Sequence, residues 1–112
     1  MRPLVRPVTE IGDPSWYPLT DPYVRRYWVA VLGPGAVADL LRLAAAAQRG
    51  RPLPLPVYLP SLLRERLVRI TSGRISVPDR IPPIPAPLAA RLAPALRREL
   101  VGTTSGKGFA AR

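Results

Sequence analysis

Five arginines fall between residues 64 and 80, at Arg64, Arg66, Arg69, Arg74 and Arg80, against only two acids, Glu65 and Asp79. A guanidinium is charged at any ordinary pH and presents its donors in a planar fork that fits phosphate oxygens. The chemistry such a cluster offers is electrostatic contact with a polyanion. The same stretch alternates: Val68 and Ile70 flank Arg69, and Ile75 and Val77 interleave with Arg74 and Ser76 around Thr71-Ser72-Gly73. Period-two alternation about a glycine-tipped loop predicts a β-hairpin. Val68, Ile70, Ile75 and Val77 would face inward, with Arg69 and Arg74 projecting together from the other face.

Other chemistry has little material. The chain has no Cys and no His, which removes the thiolate nucleophile, the usual acid/base group near neutral pH and the commonest metal ligands. The seven acids are scattered, and the nearest pair in a plausible site, Glu10 and Asp13, falls in a proline-rich segment. Residues 102–108, GTTSGKG, differ from a phosphate-binding P-loop: three residues rather than four separate the first two glycines, and Gly108 rather than Ser or Thr follows Lys107. No enzyme, cofactor or metal site is expected.

The 112 residues carry 17 Lys and Arg against 7 Asp and Glu, a net charge of +10. The excess is uneven: residues 1–63 hold seven bases and four acids, and residues 64–112 hold ten and three. The hairpin and the C-terminal third of the chain therefore carry most of the field. Preference for Arg over Lys follows from GC-rich codon usage, so the charge itself is the informative quantity, and it favours a polyanionic partner. The longest uncharged apolar run, residues 27–38, is broken by Gly33-Pro34-Gly35, and residues 1–13 lack a secretory apolar stretch. A cytoplasmic protein without a transmembrane segment is expected.

Around the hairpin, the supporting elements can be read in chain order. Residues 1–20 read as an irregular arm pinned to the core by Trp16 and Tyr17. Asp21 and Pro22 open a helix whose stripe is Val24, Tyr27, Trp28 and Val31, leaving Arg25 and Arg26 outward. After Gly33-Pro34-Gly35 a second helix presents Val37, Leu40, Leu41, Ala44 and Ala45 and stops at Gly50, with Asp39 and Arg42 pairing on its exposed side. The run RPLPLPVYLP, residues 51–60, favours an extended connector. A short third helix over residues 60–66 turns Leu59, Leu62, Leu63 and Leu67 inward and Ser61, Arg64 and Glu65 outward. Residues 79–87 are irregular. Residues 88–100 are helical but broken at Pro94, and residues 101–112 form a flexible tail.

Helix, helix, short leucine-rich helix and then LVRITSGRISVP resembles the closing half of winged helix-turn-helix domains, over residues 21–80. Arg66 stands where that family often has glycine. The resemblance implies a mainly helical α+β domain over residues 21–100, ending in a β-hairpin wing. It also implies a non-catalytic DNA-binding role, regulatory or architectural, with DNA expected ahead of RNA. Ser61, Arg64 and Glu65 would face the groove, and Arg69, Ser72 and Arg74 would act as wing contacts. Arg25, Arg26, Arg66 and Arg80 complete the expected nucleic-acid-binding set. The second reading is an adaptor docking on a protein partner through proline-rich and leucine-rich surfaces.

Overall fold

In the computed structural model, residues 2–110 are described, with side chains through Gly102. The first helix begins as expected: Asp21 Oδ1 accepts the Tyr23 N–H at 2.9 Å, the bond a capping aspartate makes with an otherwise orphaned amide. It then departs from the 3.6-residue period. Val24–Trp28 is a π-helical turn running into α1 (Val29–Leu32). The wide turn buries Val24, Tyr27 and Trp28 but leaves Val31 only half-buried. Gly33, at φ 92°, breaks the helix, and α2 (Pro34–Arg49) starts on a proline whose missing N–H costs nothing at that position. Left-handed Gly50 (φ 63°) closes α2, donating its N–H to the carbonyls of the last turn.

The first twenty residues are not an irregular arm, because three strands lie within them. β1 (Leu4–Val5) pairs antiparallel with β4 (Leu53–Pro54), inside the proline run expected to be a connector. The Leu55 N–H extends this ladder to the Pro3 carbonyl at 2.8 Å. β2 (Pro7–Glu10) runs parallel to β6 (Arg74–Pro78), which is antiparallel to β5 (Arg69–Thr71). The order is therefore β2, β6, β5. β3 (Tyr17–Pro18) pairs with β7 (Arg80–Ile81). Between β4 and β5 lies α3 (Leu59–Arg64), and after β7 come α4 (Ala86–Ala89) and α5 (Pro94–Ala110). α5 begins at the proline expected to break it and takes in residues 101–110. Residues 111 and 112 lie outside the described residues.

The expected hairpin forms, with a tighter loop. Thr71 pairs with Arg74, so Ser72 and Gly73 alone make the connection, both at positive φ (50° and 74°). That is the two-residue turn whose twist matches the strands. Ile75 and Val77 bury their side chains against the helices, while Ile70, on the uncovered outer strand, is 59% exposed. α2 lies against β2 and β6. Leu40, Leu43, Leu62, Val68, Val77 and Ile81 are fully buried with Trp28. The proline-rich segment after β7 is fastened by two aromatics: Trp28 Nε1–H donates to the Pro82 carbonyl at 3.0 Å, and the Ile84 N–H donates to the Tyr23 hydroxyl at 3.1 Å.

The winged-helix expectation is overturned. The fold is a mixed α/β domain with three small sheets, and its largest sheet is completed by a parallel strand from the start of the chain. The proline run is part of a ladder rather than the tight turn of a helix-turn-helix unit. α3 has six residues, too short to present a reading face, and Ser61 within it and Glu65 just after it are half-buried.

Candidate nucleic-acid interface

Sheet geometry decides which arginines share a face. In the observed register, Arg69 lies beside Ser76 and Arg74 beside Thr71, so Arg69 and Arg74 leave the hairpin on its outer face. Glu10 of β2, opposite Pro78, projects from that face as well. Arg69 reaches across β6 to form an ion pair with Glu10. One of the two expected wing cations is thus held by a carboxylate from the segment expected to be an arm. Arg74 is exposed and has no such partner among the described residues.

Arg66 owes its position to the end of α3. The Leu67 N–H donates to the Leu62 carbonyl at 2.9 Å and the Arg66 N–H to the Leu63 carbonyl at 3.1 Å. This is the Schellman pattern, with Leu62 and Leu67 both buried as its apolar clasp. The pattern requires a left-handed residue between them, and Arg66 adopts φ 58°. Arg66 is exposed and free of ion pairs among the described residues.

The other expected residues divide. Arg26 makes a two-pronged bond to Glu99 of α5, Nε to Oε1 at 2.7 Å and Nη2 to Oε2 at 2.8 Å. That hydrogen bonding lowers the Glu99 carboxyl below its usual value and raises the Arg26 guanidinium. Arg64 turns back on its own helix, 3.4 Å from Ser61 Oγ and 3.8 Å from Glu65. Arg80 donates from Nη1 to the Trp16 carbonyl at 2.9 Å, and no described carboxylate pairs with its charge. Arg25 is exposed and lines the same groove as Arg80 and Asp79, a cleft of about 530 Å³ over Leu41 and Gln48. Ser72 is exposed at the hairpin tip. The structure therefore brings Arg25 to Arg80 and Arg66 to Arg69, and it ties Arg26 and Arg64 elsewhere.

All seven acids of the chain are engaged within the molecule. Beyond Glu10, Glu65 and Glu99, Asp13 accepts the Ser15 N–H and hydroxyl, and these bonds lower its carboxyl below the usual value. Asp21 caps the first helix, and Asp79 Oδ1 accepts the Gly12 N–H at 2.8 Å. Asp39 corrects its expected setting: it is buried, accepting Arg42 Nη1–H and the Tyr58 N–H, each at 2.9 Å.

Trp16 is the residue that sequence reasoning placed wrongly. Tyr17 is the core anchor, stacked on Tyr23 with ring centroids 3.9 Å apart. Trp16 is only half-buried and lines a second groove, of about 330 Å³, with Arg66, Arg69, Ile11 and Pro78. β3 begins at Tyr17, which turns into the core, and Trp16 lies in the bend just ahead of it. No family model, curated protein or solved structure matches this chain.

Among the described residues there is no cluster of His, Cys, Asp or Glu able to hold a metal, and no helix long and apolar enough to cross a membrane. The surface instead offers cations that no described carboxylate balances.

Proposed function

We propose that this protein is a non-catalytic nucleic-acid-binding protein that grips phosphates with Arg25, Arg66, Arg74 and Arg80. The observation that carries the reading is that all seven acids are engaged within the fold, four of them by Arg26, Arg42, Arg64 and Arg69, so that Arg25, Arg66, Arg74 and Arg80, like the others outside those pairs, have no carboxylate partner among the described residues. A basic chain whose arginines were all paired would present a patchwork of cancelled charge. Here the field is directed outward, where it raises the local concentration of polyanions and their association rate. Arg26, Arg64 and Arg69 are held by Glu99, Glu65 and Glu10 and lose their place in the set. With no recognition helix in the major groove, contact runs through the backbone of the nucleic acid rather than through a base-pair code.

Binding of a short DNA duplex and of one of its strands, titrated with salt, tests this. Four phosphates neutralised give a slope of log K on log[salt] of about −3.6 for the duplex and about −2.8 for the single strand. Absence of binding to both at low salt would overturn it, as would affinity unchanged by removal of Arg66 and Arg74 together.

A further inference from the structure

The groove at Trp16 combines features that phosphate contact alone does not use. Its lining is partly apolar, from Trp16, Pro78 and Ile11, the last of these 90% exposed. Its volume, about 330 Å³, lies at the small end of the range that holds compact organic ligands. Arg66 and Arg69 border it, yet Glu10 and Asp13 line it too. Two carboxylates make the interior hostile to a phosphate. The anionic backbone must therefore pass along the rim, at Arg66 on one side and toward Arg80 and Arg25 on the other.

The path between the two grooves is short and fixed. Arg80 donates to the Trp16 carbonyl, and the Gly12 N–H is held by Asp79. A side chain added at Gly12 would place its Cβ 3.0 Å from the Arg80 Cβ, so the loop of residues 12–16 lies directly on the strand that carries Arg80. A nucleic-acid strand whose phosphates run from Arg66 to Arg80 is thereby drawn across Trp16. The group such a strand can offer to a partly aromatic recess that holds two carboxylates is a base, flat and neutral.

Building on the nucleic-acid reading, we propose that the Trp16 groove accepts one unpaired base, so that the protein prefers single strands to closed duplex. Base-on-aromatic contact is tolerant of sequence, because every base has a π-face. A duplex keeps its bases in the stack and meets only the arginines.

Tryptophan emission reads the event in the native protein. Trp28 is fully buried and bonded to Pro82, so quenching by a single strand reports Trp16. The expected result is quenching by a short single strand, little by its duplex, and a loss of roughly 5- to 150-fold in single-strand affinity in Trp16→Leu with duplex affinity unchanged. If Trp16→Leu does not fold, a strand of abasic sites replaces it as the probe, with a loss of the same order expected. Wild-type-like binding of that strand, or of single strands by folded Trp16→Leu, overturns the base site. The phosphate reading would survive that outcome if Arg66→Ala still weakens binding. Failure of both single strand and duplex to bind sinks the two together.

Discussion

Two tryptophans, Trp16 and Trp28, show how burial divides the work of this molecule. Trp28 is fully enclosed, its one polar atom donating to the Pro82 carbonyl, and it holds a proline-rich segment that has few ladder bonds of its own. Trp16 is half-buried beside unpaired cations. The first belongs to stability and the second to the surface, although each has a tyrosine as a chain neighbour. Composition cannot separate them. The difference lies in where each sits: Trp28 on the buried side of the π-turn, Trp16 in the bend ahead of β3.

Substitution should break this contrast most visibly at the core. Trp28→Ala is expected to cost about 3–5 kcal/mol, read as a lower denaturant midpoint, because it opens a large cavity and orphans the Pro82 carbonyl. Trp16→Ala should cost less than half as much. Next in size is Asp39→Ala, which strands the Tyr58 N–H and is expected to destabilise by about 1–3 kcal/mol. The bond to exposed Arg42 adds little to that figure.

Arg66→Gly should separate folding from binding. Glycine relieves the left-handed strain and is expected to raise stability by up to about 1 kcal/mol, while nucleic-acid affinity falls. A midpoint that drops would mean that the clasp at the end of α3 is not the reason for the conformation. Glu10→Gln frees Arg69 for phosphate: stability should change by less than about 1 kcal/mol, and the salt slope should steepen by about 0.9.

The smallest effect appears only in alkali. Burial is the main cause raising Tyr23 and Tyr17 above the usual value of 10.0. Their folded pKa exceeds the unfolded one, so their contribution is complete below about pH 10 and is lost as pH rises through the folded values. Thermal stability should therefore be level in these groups at neutral pH and decline above about pH 10. Tyr23→Phe should soften that decline. An unchanged decline would place its origin elsewhere.

Much of the framework was legible in sequence because it is local. The hairpin followed from alternation about Ser72-Gly73, and α2 from its apolar period and its terminal glycine. The N-terminal strands were hidden because their partners lie far along the chain: Pro7 beside Ile75, Leu4 beside Pro54. Prolines also made those segments look irregular, although a short or edge strand tolerates them. The π-turn shifted the buried stripe without any residue that announces it. For the site, the outward direction of Arg69 and Arg74 was readable from period two, but the neutralisation of Arg69 depended on Glu10 arriving from a distant strand. Asp39 looked like half of a surface pair because nothing local indicated that the Tyr58 amide would come down on it.

The parallel pairing of β2 with β6 also sets a timetable. A ribosome emits about 5–20 residues each second, so β2 must wait several seconds for the strand it will join. During that interval residues 7–10 have no sheet to enter, and the hairpin emerges with one edge of β6 open. The last event in building the largest sheet is therefore the return of that sheet's own earliest-made strand.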